Sequence, residues 1–373
     1  MKILNFSKFY PPYKGGIEKV AVDLTEGLNS KNIDTTVLCF DSEDSEASYT
    51  YEVQKSKVIA NIKSTPISIS NIFDYYKLAK EVDLVHVHFP NPMANLSIFF
   101  TWYVFNVKPK IVVHWHSDIV KQKYILLVYK LLMNWLLKRC DSIVCTSKKY
   151  FESSHQLLDF KDKVEIIPIG IDTHHLNIDR DIYNNIKNSY SGKKIVFTLG
   201  RHVYYKGYRY LIESLCGLNE DIVVIIGGTG PLTDELKALV KELGVSDKVV
   251  FVGRIPDEHI GAYYSSCDIY CMPSIERSEA FGVVQLEAMF FGKPIISTRI
   301  KGSGVDWVNM HMESGLTVDT HNPTQLASAI NLLSSDTALY KELSEGAKKR
   351  FHQHFDVSVM SRSFERLYRK ILN

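Results

Sequence analysis

The sequence predicts an α/β protein made of two doubly wound domains, and three observations carry that prediction. The first is length: 373 residues exceed a single compact core and suit two domains of roughly 100–200 residues each. The second is a rhythm of short apolar runs, each followed by a helical pattern, at Lys2 to Phe6, Thr36 to Phe40, Leu84 to His88, Ile111 to His114, Ser142 to Thr146 and Val164 to Ile167. Strands that alternate with helices imply a parallel sheet covered on both faces. The third is that the rhythm returns at Lys194 to Leu199, Ile222 to Ile226, Val249 to Val252, Ile269 to Met272, Pro294 to Ser297 and Leu316 to Val318.

Residues 173–192 separate the two series. They are polar, rich in Asn, Asp and His, and read as a linker with one short helix. The expected domains are therefore 1–172 and 193–355, followed by a closing helix, 356–373, that packs back on the first domain. In that helix Met360, Phe364, Leu367 and Ile371 recur at helical spacing. Ligands bind at the carboxyl ends of parallel strands, so function is expected in a crevice between the halves.

Composition excludes several classes. Hydrophobic residues make up 45% and charged residues 23%, a soluble globular balance. A net charge of +2 is too small for a nucleic-acid surface. The six cysteines, Cys39, Cys140, Cys145, Cys216, Cys267 and Cys271, form no CxxC pair and read as reduced core residues of a cytoplasmic protein. Met1 to Ser7 runs straight into a strand without a signal region. The stretch 121–140 interleaves Leu, Ile and Trp with Lys121, Lys123, Lys130, Lys138 and Arg139, so it reads as an amphipathic helix, well short of the ~20 apolar residues a span needs.

The most informative string runs from Ser278 through Glu279-Ala280-Phe281-Gly282-Val283 to Glu287 and Met289, after one strand and before Gly292-Lys293-Pro294. Gly282 suits a tight loop-to-helix turn, and free N–H groups in a first helical turn receive phosphate. The glutamates are eight positions apart, about 12 Å along a helix, which places one at the helix mouth and the other two turns deeper. A lone pair of glutamates would read as a dipole partner and a solvated helix residue, but other anion-binding features accompany this one. Gly200-Arg201 and Lys206-Gly207 follow the first strand of the second series and supply two cations at a strand end. On their own these are two surface cations on a turn. Pro11-Pro12-Tyr13-Lys14-Gly15-Gly16-Ile17-Glu18 follows the very first strand, and its glycines either admit a phosphate or sugar to the backbone or form a plain turn.

Metal and cofactor signals are weak. His116 and Asp118 follow a first-half strand, but no third ligand stands at a suitable spacing. His86 and His88 share a strand face and read as half-buried strand histidines. Gly227-Gly228-Thr229-Gly230 begins like a dinucleotide fingerprint and lacks its last glycine. Asp179-Arg180-Asp181 imitates metal-binding carboxylates but follows no strand. No metal and no cofactor are expected.

Taken together, these markers and Ile167-Pro168-Ile169-Gly170-Ile171-Asp172 resemble glycosyltransferase family 4, also called glycosyl transferase group 1, over nearly the whole chain. The resemblance implies a GT-B fold, two Rossmann-like domains facing a central cleft, and retaining, metal-independent transfer from a nucleotide-sugar. It implies that Arg201 and Lys206 bind the donor diphosphate, that Glu287 holds the ribose, and that Glu279 contacts the transferred sugar. Ala280, Phe281, Gly282 and Val283 would line the donor, with backbone N–H groups from Phe281 and Gly282. Gly15 and Gly16 would approach the diphosphate from the other domain, His116 would lie beside sugar and acceptor, and the base would rest near Arg254 and Ile255.

Within the family, the run His116 to Lys123 and the segment Gly304 to Asn309 are similar to bacterial mannosyltransferases of O-antigen and surface polysaccharide. That likeness implies GDP-mannose as donor and an undecaprenyl-diphosphate-linked glycan as acceptor at the inner-membrane surface. Phe99 to Tyr103 with Lys108 and Lys110 would touch that interface, although a buried helix ending in a solvated turn explains the stretch as well. The rival readings are a UDP-hexose or UDP-HexNAc enzyme of the same fold, a nucleotide-sugar epimerase, and a silent binding paralogue. An epimerase would isomerise a UDP-sugar without acceptor, and a silent copy would have lost one of Arg201, Lys206, Glu279 and Glu287.

Overall fold

The computed structural model describes residues 1–13, 15–41, 48–62, 65–119 and 123–373, with the side chains of 123–128 excluded. Lys14 of the glycine loop, and Val120, Lys121 and Gln122 of the run that starts at His116, lie outside the described residues. The chain forms two compact units: Met1–Gly170 with Val357–Asn373, and Ile171–Asp356.

In the first unit the strands are β1 (Lys2–Phe6), β2 (Asp34–Phe40), β3 (Val53–Ser56), β4 (Ala60–Ile62), β5 (Thr65–Ile67), β6 (Leu84–Phe89), β7 (Lys110–Trp115), β8 (Ser142–Cys145) and β9 (Val164–Ile166). Seven of them form a parallel sheet in the order β3-β2-β1-β6-β7-β8-β9. All six residues of β6 are buried, as a strand covered on both faces requires. The order reverses between β1 and β6, which makes their carboxyl ends the switch point of this sheet. The antiparallel β4–β5 pair and the edge strand β3 escape sequence reading, because Val-Gln-Lys-Ser is polar and carries no alternation. The helix Val357–Leu372 belongs to this unit and packs on the helix Gly16–Asn29, burying Met360, Phe364 and Leu367.

The second unit holds β10 (Lys194–Leu199), β11 (Ile222–Gly227), β12 (Val249–Gly253), β13 (Ile269–Met272), β14 (Ile295–Arg299) and β15 (Gly315–Asp319). They form one parallel sheet, β12-β11-β10-β13-β14-β15, with its switch point between β10 and β13. Val196, Val224, Ile226, Ile269 and Ile296 fill the core with Leu211 and Ile330 from covering helices. The stretch expected to be a linker is part of this unit. Asp179 caps the helix Arg180–Ser189 by accepting from the N–H groups of Asp181 and Ile182, and that helix packs on Asp257–Ser266. Asp179 thus has a capping role.

Every strand expected from the sequence is present, with ends shifted by at most two residues. Among the described residues no helix is long and apolar enough to cross a membrane. Five of the six cysteines are buried and free, but Cys216, read as a core residue, is exposed. It lies in the short turn Leu215–Gly217, after the helix that covers the sheet has ended.

Candidate functional site

At the switch point of the second sheet, the loops after β10 and β13 are bonded to each other. Leaving β10, the chain makes a short 3₁₀ turn, Tyr204–Lys206, and then Gly207 at φ 68°, ψ 17°. A Cβ on Gly207 would stand 2.0 Å from the Pro273 carbonyl oxygen, so only glycine fits this left-handed position against the other loop. The Ile275 N–H donates to the Tyr205 carbonyl at 2.8 Å. That junction carries Lys206 to Glu279: Nζ lies 2.6 Å from Oε2, with the side chains 13% and 11% exposed. The Ser274 hydroxyl donates to the same carboxylate oxygen at 3.1 Å.

Burial works against the Lys206 charge, but Glu279, with Tyr205 and Tyr208, outweighs it and holds the ammonium above its usual range. The Tyr205 phenol, pushed up by burial, feels Lys206, Glu279 and Arg201. Three of the expected site residues therefore act on one point. Arg201 is exposed, and its guanidinium makes no hydrogen bond or ion pair among the described residues. The pairing of Lys206 with Glu279, and the serine that supports it, were not foreseen from the sequence.

Beyond Glu279 the structure corrects the helix geometry. Gly282 takes φ +75° and the helix starts only afterwards, as Val284–Phe290. The two glutamates do not share a helix: Glu279 sits in the loop and Glu287 in the first turn, one turn in rather than two. The N–H groups of Phe281, Gly282 and Val283 make no hydrogen bond among the described residues, whereas those of Gln285 and Leu286 turn back onto Gly282 and Val283. Phe281 anchors this loop by burying its ring against Trp307 and Phe355. Behind it, the Gly304 N–H donates to Ala280 at 2.8 Å and the Ser303 hydroxyl donates to the Glu279 carbonyl. Glu287 is partly buried beside His175, at 3.9 Å, and the Tyr264 phenol is pushed well up by its own burial and by Glu287.

The glycine run after β11 has a packing role. A Cβ on Gly228 would lie 2.0 Å from the Gly200 oxygen and one on Gly230 2.5 Å from the His202 oxygen. These glycines let two strand-end loops touch, and nothing in them reproduces a dinucleotide fingerprint. Arg254 is exposed after β12, and Ile255 is buried.

In the first unit, the two adjacent glycines differ. Gly15 is the extended residue before the helix Gly16–Asn29, and a Cβ there would collide with the Glu18 carboxylate at 2.2 Å, whereas one on Gly16 would meet nothing within 4 Å. Gly16 alone is open. Burial raises the Glu18 carboxyl, against the pull of its own backbone and Lys8. His116 follows β7 and joins a cluster of imidazoles. The β6–β7 register sets His88 opposite His114, so His86, His88, His114 and His116 project from one face.

These histidines are buried, His86, His88 and His114 almost completely, which corrects the half-buried reading of His86 and His88. Relative exposures are 0%, 1%, 0% and 6% along the series, because both strands are central and Phe364 and Tyr368 of the last helix cover the cluster. His88 Nδ1 lies 2.8 Å from His116 Nε2, His86 Nε2 3.3 Å from His114 Nδ1, and His86 Nδ1 2.6 Å from the Tyr368 hydroxyl. Burial, then neighbouring imidazoles, keep the cluster neutral: His86 and His116 fall to about 3, and His88 and His114 well below the usual range. One nitrogen each from His86, His88 and His114 lies within 4.8 Å of the others. This trio includes neither His116 nor Asp118, both nitrogens of His86 are already in hydrogen-bonding contacts, and among the described residues no carboxylate joins the group. Asp118 is engaged structurally, accepting from the Trp115 indole at 2.9 Å and the Ser154 hydroxyl at 2.7 Å.

The first unit also exposes an aromatic and basic face. Phe73, Phe100, Tyr103 and Val104 are exposed, Phe105 makes tilted ring contacts with Phe73 and Tyr76, and Arg139 lies over Trp135 while Lys80 lies over Tyr76.

Comparison with known proteins agrees with this architecture. The model of the family Glycosyl transferases group 1 matches residues 179–350, and that of Glycosyltransferase Family 4 matches residues 14–175. The chain is 33% identical over 359 residues to D-rhamnosyltransferase WbpZ of Pseudomonas aeruginosa, covering 95% of this chain and 92% of that protein. It is 30% identical to O-antigen chain mannosyltransferase C of Escherichia coli, covering 100% and 99%. Among solved structures, Anabaena HepE in complex with UDP superposes with a TM-score of 0.79 at 19% identity, covering 99% of this chain and 100% of that one. The chain thus belongs to glycosyltransferase family 4, the group 1 glycosyl transferases, and has the GT-B fold of two Rossmann-like domains.

Proposed function

We propose that this glycosyltransferase moves mannose from GDP-mannose, with retention of anomeric configuration and without a metal, onto a lipid-linked glycan in bacterial O-antigen synthesis. The observation that carries the donor site is the buried Lys206–Glu279 pair beside Arg201 at the switch point of the second sheet, where open α/β sheets bind ligands. An ammonium has three donors, so Lys206 can keep Glu279 and still donate to a diphosphate oxygen. The Arg201 guanidinium, without a partner among the described residues, takes the same anion, and the N–H groups of Phe281, Gly282 and Val283, unbonded among the described residues, complete the cradle. Arg254 and Ile255 border the base, Glu287 accepts from the ribose, and His116 serves the transferred sugar and the incoming acceptor.

In this mechanism the acceptor hydroxyl attacks the anomeric carbon from the face the diphosphate leaves. The bond from that carbon to the phosphate oxygen breaks, and the departing oxygen takes the acceptor proton. Lys206 and Arg201 stabilise the charge that grows on the diphosphate. The sugar is supported by the Escherichia coli relative, whose name specifies mannose. A second reading, transfer of D-rhamnose, rests on the Pseudomonas relative, and the two sugars differ only by the hydroxyl on carbon 6. The exposed aromatic and basic face of the first unit supports work at the inner-membrane surface.

Thermal shift with GDP, UDP and ADP tests the donor class: a ligand at 100 times its Kd adds about 2.7 kcal/mol, and GDP should stand apart. Equal response to all three, or none, removes the reading. GDP-mannose against GDP-D-rhamnose, with and without EDTA, then decides the sugar and the metal. An Arg201→Ala enzyme with unchanged kcat would refute the role of Arg201.

A further inference from the structure

The His88–His116 contact fixes more than position. One of the two imidazoles must donate across the 2.8 Å between His88 Nδ1 and His116 Nε2. The other His88 nitrogen, Nε2, is buried with no partner among the described residues. If His116 donated, the His88 proton would sit on Nε2 as a buried N–H with no acceptor. If His88 donates, only an unshared lone pair is left there. Orphaned buried N–H groups are rarer than unmatched acceptors, so His88 carries its proton on Nδ1 and His116 accepts at Nε2. A neutral His116 then holds its proton on Nδ1.

The ring cannot easily turn away from this arrangement. His88 stacks on it at 5.1 Å and 10°, and His114 packs against it at 4.1 Å. Of the four imidazoles, only His116 keeps appreciable exposure, 6% against 1% or less. The nitrogen that His116 leaves unengaged by His88, Nδ1, is therefore an N–H.

We propose that His88 is a positioning residue that holds His116 in the Nδ1–H tautomer, so that His116 meets an oxygen of the substrate as a hydrogen-bond donor and does not act as a base. The substrate part of this proposal rests on the assignment of His116 to the sugar and acceptor, whereas the tautomer stands apart from it. A donating His116 fits the transfer proposed above, in which the leaving phosphate oxygen takes the acceptor proton and no protein base is needed.

Long-range proton–nitrogen correlation spectra of the full chain, labelled with ¹⁵N-histidine, test the tautomer directly. The thirteen histidines are sorted by the signals lost in His116→Gln. At about pH 7.5 His116 should show a protonated Nδ1 and a bare Nε2. A proton on Nε2, or a charged ring, overturns the proposal whatever the chain transfers, while the nucleotide panel tests the transfer reading by itself. The kinetic arm uses His88→Leu and His88→Asn, since an asparagine amide N–H stands close to where Nδ1–H stood. The leucine variant should lose the tautomer preference and about tenfold in kcat at unchanged KM for the donor. The asparagine variant should recover most of both. Equal kcat loss in the two variants with the tautomer intact would show that His88 only fills space, and would overturn its positioning role.

Discussion

Acidifying the protein from about pH 7.5 to about pH 5.5 should weaken the first unit, and the imidazole cluster sets the magnitude. In the unfolded chain each of these histidines takes up a proton near its ordinary value of 6.5, whereas in the folded unit burial holds His86 and His116 at about 3 and His88 and His114 well below the usual range. Between those limits the unfolded chain binds more protons than the folded one. Stability is therefore complete above 6.5 and drains away as pH falls toward 3, at about 1.36 kcal/mol per pH unit for each group. One unit below 6.5 the loss is about 1.4 kcal/mol per imidazole and about 5 to 6 kcal/mol for the four, a large share of the ~5–15 kcal/mol that holds a domain folded. Urea unfolding followed by tryptophan fluorescence reads this well, because Trp102, Trp115 and Trp135 all lie in the first unit and only Trp307 lies in the second. The midpoint should drop steeply between the two pH values, and His114→Gln, which removes one titrating group, should flatten the slope by about a quarter. A midpoint that stays constant, or a slope that ignores the substitution, would refute the account of a neutral buried cluster.

Three further outcomes follow from the described contacts. Lys206→Ala leaves Glu279 buried with Ser274 as its remaining partner and should cost about 3–5 kcal/mol, read as a fall in Tm. Pairing Lys206→Met with Glu279→Gln should restore much of the Tm but no transfer activity. Gly207→Ala forces a Cβ against the Pro273 carbonyl at positive φ and should destabilise by more than ~1 kcal/mol, with urea midpoints as the check. Vesicles with anionic lipid should sediment the protein better than neutral ones, and Phe100→Glu or added salt should reverse this. Equal sedimentation on both would disprove the interfacial face.

The strands were legible because parallel strands buried on both faces are written as apolar runs, as in Leu84–Phe89 and Ile222–Gly227. The residues at the strand ends were legible for a related reason, since the switch point puts Arg201, Lys206 and Glu279 on neighbouring loops. What they do to one another was hidden. Lys206 reaches Glu279 only through the left-handed turn at Gly207 and the Ile275–Tyr205 hydrogen bond, and a side-chain contact between distant segments leaves no periodic trace. The imidazole cluster was hidden similarly: His86 and His88 announce a shared face, but the β6–β7 register that adds His114 is a property of the sheet. Glu287 was misplaced because counting along an assumed helix ignores Gly282, whose positive φ delays the helix start.

The last helix gives the chain an unusual order of assembly. Because Val357–Asn373 completes the unit that Met1–Gly170 begins, that unit cannot close until a helix on the far side of Ile171–Asp356 has been made. Ile171–Asp356 is contiguous and can close while the first sheet still lacks the cover that Phe364 and Tyr368 place over His86. The domain split thus permits the reverse of the usual amino-to-carboxyl sequence of domain folding. Until that helix docks, the imidazoles lack the cover of Phe364 and Tyr368.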